Sequence, residues 1–272
     1  MIPNVLSIAG SDPSGGAGVQ ADLKAISANG AFAMAALTAL TAQNTQGVSG
    51  IHFVPPAFVQ SQIDTVFDDI RVDAVKIGMI GNAEIAQAVA RALAGRKTTI
   101  ILDPVMIAKG GAALLQPDAV VVMRDVLLPM ATVLTPNLPE AAHLLETDQA
   151  TTRDKMASQG RALCALGPAA VLMKGGHLSS FDSPDCLVTG DSATWFEGPR
   201  TPTPNTHGTG CTLSSALAAQ LANTDDIHAA VATAKSYVAS AIACADQLSV
   251  GSGHGPTHHF ANLYASHKET SL

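Results

Sequence analysis

Short apolar runs alternate with helical patterns along this 272-residue chain, and most of the runs close on a glycine or a polar residue. Runs at 5–9, 32–39, 74–77, 100–102, 131–134 and 169–173 have the length and composition of buried strands. Helical periodicity over 19–29, 55–69, 82–94, 120–128, up to 145, 153–166, from 213 and over 227–247 separates or follows them. Such alternation predicts an α/β fold with a mostly parallel sheet covered by helices on both faces. An antiparallel pair is expected at 186–188 and 193–196, around Gly190-Asp191. In the helix over 55–69, Phe58, Ile63, Val66 and Phe67 fall near one face and predict its buried side. With 47% hydrophobic and 14% charged residues, one large domain over 1–272 is expected.

Composition also narrows the partners. A net charge of −7 argues against nucleic acid and anionic membrane surfaces. No apolar run approaches the roughly 18 residues of a membrane span, and Met1-Ile2-Pro3-Asn4 lacks the basic region of a signal peptide. Cys164, Cys186, Cys211 and Cys244 are scattered, which suits reduced cytoplasmic thiols better than a disulfide frame or a zinc site. Cys164, Cys186 and Cys244 are read as packing residues. His254, His258 and His259 lack the helical spacing of a metal site.

The polar residues at the run ends carry the chemistry. Ser11 and Asp12, Gln43, Asp103, Asn137 with Glu140, and Lys174 each follow an apolar strand, and Lys76 lies near the end of one. In a parallel sheet those ends share one edge, where ligands bind. Asn205-Thr206-His207-Gly208-Thr209-Gly210-Cys211-Thr212 precedes an alanine-rich helical run. Gly208 and Gly210 let N–H groups converge, and the helix start adds its own donors and positive dipole end. Read alone, that stretch is equally a tight loop capping a core helix. Beside two carboxylates, two lysines and an Asn, it completes a phosphoryl-transfer kit in which the carboxylates hold Mg²⁺ and the loop stabilises transferred charge. Gln43 carries a donor and an acceptor suited to a heterocycle edge. A buried ammonium at Lys76 needs a partner.

Two nucleotide motifs are absent. Gly16-x-Gly18-x-x-Ala21 only approaches a dinucleotide fingerprint, because six residues separate Ala9 from Gly16 and no Asp or Glu lies between Asp22 and Asp64. No Gly-Lys-Ser or Gly-Lys-Thr triplet marks a Walker A loop, so ATP must meet another phosphate cradle.

The chain resembles the ribokinase superfamily, and within it the hydroxymethylpyrimidine/phosphomethylpyrimidine kinases of thiamine biosynthesis. The resemblance rests on the stretches 9–18, 20–24, 38–45, Lys76-Ile77-Gly78-Met79, Asp103-Pro104-Val105-Met106, 135–140, Lys174-Gly175-Gly176-His177, 205–212 and Gly253-His254-Gly255-Pro256. It implies a ribokinase-like fold, ATP and Mg²⁺ as cofactors, and a cytoplasmic homodimer. It also implies that Gln43, Gly10, Ala17, Asp22, Met79 and Val105 bind an aminopyrimidine alcohol or its phosphate. Asn137, Lys174, Thr209 and Lys235 bind ATP under this reading, and Asp103 and Glu140 organise the metal. Gly208, Gly210 and Cys211, with Lys174, then form the catalytic group, with Cys211 as a base of lowered pKa. Lys109-Gly110-Gly111 departs from the Lys-Ser-Gly of the resemblance. Pyridoxal or pyridoxine kinase is the nearest alternative, with the same fold and chemistry. A silent binding protein and a Cys-dependent hydrolase fit less well, since the carboxylates are intact and His207 has no clear dyad geometry with Cys211.

Overall fold

A computed structural model describes residues 1–106, 114–179 and 181–264; Lys109-Gly110-Gly111 lies outside the described residues. Among the described residues, nine strands form one sheet. They are β1 (Asn4–Ser11), β2 (Phe32–Asn44), β3 (Gly47–Phe53), β4 (Ala74–Ile77), β5 (Thr99–Leu102), β6 (Val133–Leu134), β7 (Ala170–Lys174), β8 (Asp185–Thr189) and β9 (Ser192–Phe196). The spatial order is β3-β2-β1-β4-β5-β6-β7-β8-β9. Pairing is parallel from β2 through β7 and antiparallel at β2–β3, β7–β8 and β8–β9.

Eight helices cover the sheet among the described residues. In chain order they are α1 (Gly18–Ala28), α2 (Pro56–Asp69), α3 (Ala83–Leu93), α4 (Pro117–Val122), α5 (Leu138–Leu145), α6 (Arg153–Cys164), α7 (Thr209–Leu221) and α8 (Ile227–Ala243). Helices α1, α7 and α8 pack through residues such as Ile26, Leu217 and Val231 onto one face. Helices α2 to α6 pack on the other through Ile63, Val89, Leu138 and Met156. Both faces are therefore buried, as a parallel sheet requires.

Two expectations from the sequence need correction. Strand β2 runs on to Asn44 and turns into β3, which the sequence reading missed. Along β3, Gly47, Val48, Gly50 and Ile51 are half-buried, so the alternation that marks a strand is weak there. In α2 the inward residues are Val59 and Ile63, while Phe58 is exposed. The 3.6-residue period places Val59 and Ile63 four apart on one face and turns Phe58 away.

Period-two alternation then decides where the polar residues go. On the α1–α7 face, Val5 is followed by Ser7, Ala74 by Lys76, Ile101 by Asp103 and Leu172 by Lys174. Ser7 and Lys76 are register partners on adjacent strands. The side chains on this face thus change from apolar to polar toward the C-terminal edge, beneath the start of α7. The strand order reverses between β1 and β4, which is where such sheets open a ligand crevice.

Lys76 is fully buried, and its Nζ lies 2.9 Å from both oxygens of Asp22 on α1. Asp22 also accepts from Ser7 Oγ at 2.6 Å and from Ser215 Oγ of α7 at 2.7 Å. Burial alone would lower the Lys76 pKa; Asp22, then Cys211 and Asp103, reverse that and raise it. Removing one member of a buried pair leaves an uncompensated charge, costing about 3–5 kcal/mol. Asp22→Ala is expected to lose about that much in urea titration, whereas the double variant Asp22→Leu/Lys76→Met recovers most of it.

Candidate active site

The strand ends open into one cavity of about 860 Å³. At its floor, β1 turns into α1 through Gly10 to Gly18, and this turn meets the loop before α7. Gly208 has φ +77°, and a Cβ there would come within 1.8 Å of the Gly16 carbonyl oxygen. Gly18, at φ +57°, would bring a Cβ within 2.3 Å of the Gly10 carbonyl oxygen. Only glycine permits both the left-handed backbone and the close approach. Helix α7 starts at Thr209, so Gly210 and Cys211 sit on its first turn, where N–H groups have no intrahelical acceptor. A Cβ on Gly210 would lie 3.4 Å from Lys174 Nζ and 3.6 Å from Asp103 Oδ2. The cradle, the ammonium and the carboxylate therefore face one small volume.

Lys174 Nζ lies 2.9 Å from Asp103 Oδ1 and 3.7 Å from Glu140 Oε2. Asp103 is 1% exposed and also accepts from Ser214 Oγ and Thr135 Oγ1, each at 3.2 Å. Burial would raise its carboxyl, but Lys174 and Lys76 outweigh that and hold it below the ordinary value. Asn137 and Glu140 close a capping box at the start of α5, each side chain bonding the other's backbone N–H at 2.8 Å. Glu140 is pushed up to about 7, first by burial and then by the charge of Asp103, although Lys174 opposes this. The two neighbouring carboxyls are thus pushed in opposite directions, Asp103 down and Glu140 up. With both ionised beside the one ammonium of Lys174, the pair would be one positive charge short.

The cavity brings together Gly10, Ala17, Gln43, Met79, Val105, Asp103, Asn137, Glu140, Lys174, Gly208, Thr209, Gly210, Cys211 and Lys235. Asp22 is the exception. It lies beneath the floor at 0% exposure, committed to Lys76, so it supports the site rather than lining it. Cys211 also departs from expectation. Burial pushes its thiol up to about 11, although Lys76 and the Gly18 N–H pull the other way. The dipole end of α7 does not offset the desolvation. Thr209 spends its hydroxyl and its N–H on the Thr206 carbonyl, at 2.8 and 3.3 Å, and so shapes the turn. Lys235 is not a solvated lysine: its Nζ lies 2.6 Å from Asp185 Oδ2 and 2.9 Å from the Ser183 carbonyl.

Sequence reasoning missed Asp185, whose Oδ1 accepts the Gly175 N–H at 3.0 Å, and the pairing of Asp12 with His207 at 2.8 Å. The first carried no local signal. The second joins residues 195 apart, and no spacing rule reaches that far. His259 is buried and bonds Thr212 Oγ1 at 3.0 Å, a structural use. Cys186 is fully buried, as expected, while Cys164 and Cys244 are half-buried.

A cradle of N–H groups, a buried lysine and paired carboxylates at the edge of a ribokinase-like sheet define a kinase. Comparison narrows the class. The family model described as phosphomethylpyrimidine kinase matches residues 12–258, and the chain belongs to that family. A hydroxymethylpyrimidine/phosphomethylpyrimidine kinase of Escherichia coli (strain K12) is 52% identical over 94% of this chain and 97% of its own length. A phosphomethylpyrimidine kinase structure from Clostridium difficile 630 is 40% identical, with TM-score 0.77 over 88% of this chain and 98% of its own. An ADP complex of Bacillus subtilis pyridoxal kinase is 34% identical, with TM-score 0.88 over 97% and 100% of the two chains.

The Cys211 environment has a measurable consequence. Iodoacetamide alkylation of the ligand-free protein is expected to accelerate with a midpoint near pH 11, followed by peptide mass spectrometry at Cys211. A midpoint at or below 8 contradicts the buried thiol.

Proposed function

We propose that this kinase transfers the γ-phosphoryl group of ATP to 4-amino-5-hydroxymethyl-2-methylpyrimidine, and then phosphorylates the product to the pyrophosphate, in thiamine biosynthesis. The observation that carries this reading is the convergence of Gln43, Cys211, Gly210, Lys174 and Asp103 on one cavity. The names of the 40–52% identical relatives favour the pyrimidine, and the ADP bound by the Bacillus subtilis pyridoxal kinase favours ATP. Pyridoxal is the second candidate substrate, favoured by the TM-score of 0.88 to that enzyme. One continuous sheet supports 1–272 as a single catalytic unit. Among the described residues no helix is long and apolar enough to cross a membrane. A cytoplasmic homodimer remains part of the proposal.

Among the described residues no group of three or more His, Cys, Asp or Glu converges on one point. Asp103 and Glu140 instead offer two oxygen ligands and a missing positive charge. That suits Mg²⁺, which keeps several waters and takes further oxygens from phosphates. Bound there, Mg²⁺ would supply charge neutralisation to the phosphates. Lys174 would contact the phosphate oxygens beside Gly210, and the α7 N–H groups would stabilise the charge on the transferred group. Asn137 would fix the Glu140 carboxyl through their shared cap. Lys235, anchored by Asp185, would border the nucleotide.

Cys211 would take the hydroxymethyl proton. With its thiol near 11 the thiolate is a minor form at neutral pH, so the first transfer should quicken as pH rises. The second acceptor is an ionised phosphate and needs no base.

ADP release with the aminopyrimidine alcohol, its phosphate and pyridoxal, each with ATP and Mg²⁺, tests the assignment; no release with the first two overturns it. Cys211→Ala should slow the first phosphorylation about 10²-fold and flatten its pH dependence, while the second changes by less than about threefold. Equal losses in both steps count against the base. In a thermal scan at pH 8, Mg²⁺ should raise the melting temperature of the wild type and not of Glu140→Gln.

A further inference from the structure

Lys174 has a carboxylate on either side, and only one of them belongs to the transfer scheme. On one side its Nζ meets Asp103 at 2.9 Å. On the other stands Asp185, its register partner across the antiparallel pair β7–β8. One pair earlier on the same face, Leu172 and Leu187 share the apolar layer under α7 and α8. Lys174 and Asp185 therefore leave the sheet side by side. Directly opposed Cβ atoms are about 4.5–5.5 Å apart, and opposite charges so placed attract one another. The ion pairs of Lys174 are instead with Asp103 and Glu140.

Asp185 is committed elsewhere. It is buried; its Oδ1 accepts the Gly175 N–H at 3.0 Å, and its Oδ2 lies 2.6 Å from Lys235 Nζ of α8. Lys235 Nζ also donates to the Ser183 carbonyl at 2.9 Å. The lysine stem is held as well, since a Cβ on Gly198 would lie 3.0 Å from Lys235 Cε. Lys235 thus passes beneath Gly198 and ends on Asp185. The main chain at Lys174 is equally settled. Its N–H donates to the Pro136 carbonyl at 2.8 Å, and a Cβ on Gly175 would come within 1.8 Å of the Pro184 carbonyl oxygen. What the backbone does not settle is the direction of the long Lys174 stem. A flexible chain carrying a point charge goes to whichever carboxylate is open.

We infer that Lys235 is a positioning residue: by occupying Asp185 it keeps the Lys174 ammonium on the Asp103 side, facing Gly210 and the first turn of α7. The inference rests on the phosphate contact proposed for Lys174. Two lysines and two carboxylates are sorted into pairs, Lys235 with Asp185 and Lys174 with Asp103. The first pair leaves the second lysine a single direction. Lys235 then serves the transfer through Lys174, although the two ammonium groups come from different elements, β7 and α8.

Lys235→Met keeps the stem and deletes the ammonium, which leaves Asp185 open opposite Lys174. The kcat of both phosphorylations is expected to fall about 10- to 10²-fold, the cost of displacing a catalytic group by about 1 Å. KM for the pyrimidine should stay within about threefold, since the loss falls on the transfer. Adding Asp185→Asn removes the competing charge and keeps an oxygen for the Gly175 N–H. In that double variant kcat should return to within about fivefold of wild type, a coupling that a double-mutant cycle reads directly. If Lys235 instead bound ATP phosphates, Lys235→Met would raise KM for ATP and Asp185→Asn would not restore it. If Lys235 only braced the fold, the double variant would be at least as impaired as the single one. Either result overturns the inference. Circular-dichroism melting checks folding. Should Lys235→Met not fold, Lys235→Gln deletes the charge, keeps N–H donors and is judged by the same rescue. Absence of wild-type turnover with the amino alcohol sinks the substrate reading instead. A crystal structure of the Lys235→Met variant then decides the inference alone. Lys174 Nζ is expected within hydrogen-bond reach of Asp185, and an ammonium still on Asp103 overturns it.

Discussion

Everything at the catalytic edge stands on the buried pair of Lys76 and Asp22. The two residues come from β4 and α1, and Ser7 of β1 and Ser215 of α7 bond the same carboxylate. Four elements thus share one polar knot inside an otherwise apolar layer. A charge in such a place is tolerable only when fully paired and hydrogen-bonded. The knot therefore fixes how α1 and α7 approach the sheet, and with them the two glycine turns that touch at Gly16 and Gly208. It also sets a positive charge beneath Cys211 and Asp103, whose fields reach Lys76 in return.

Above the knot, opposed charges are kept apart by small distances and missing side chains. Lys174 lies nearer Asp103 than Glu140, and within one cluster the first carboxyl is pushed down and the second up. Gly210 leaves the ammonium, a carboxylate and the first turn of α7 open to one another. Under the proposed function this is preorganisation in the electrostatic sense: the donors would face the volume where phosphoryl charge develops, before any ligand arrives.

Much of this was legible in the sequence. Apolar runs gave the parallel strands, and the residues closing them gave Asp103, Asn137, Glu140 and Lys174, because a strand's end is local information. The two-residue period even explains why Lys76 and Asp103 share a face. What was not legible depends on contacts between distant segments. Asp22 reads as a pocket residue in the motif and becomes a buried counter-ion once Lys76 lies opposite it. Cys211 sits where a helix dipole favours a thiolate, yet its depth reverses the sign. Strand β3 stayed hidden because it is an edge with weak alternation, held by pairing to β2. Asp12 and His207 needed the whole fold to meet.

The loop at 251–257 gives the architecture a temporal side. Gly253 and His254 donate to Thr45 at the tip of the β2–β3 hairpin, and the Gly255 carbonyl accepts from His207 N while its N–H reaches Asn205. Gly251 and Gly253 lie so close to Thr45 that a Cβ on either would come within 2.1 Å of it. A segment emerging late from the ribosome thus binds together a hairpin made early and the cradle loop made much later. The central strands can assemble as they appear, but the end of the cavity lined by Gln43 and His207 must wait for this loop. During synthesis the protein would pass through a stage that has its sheet and lacks one end of its cavity.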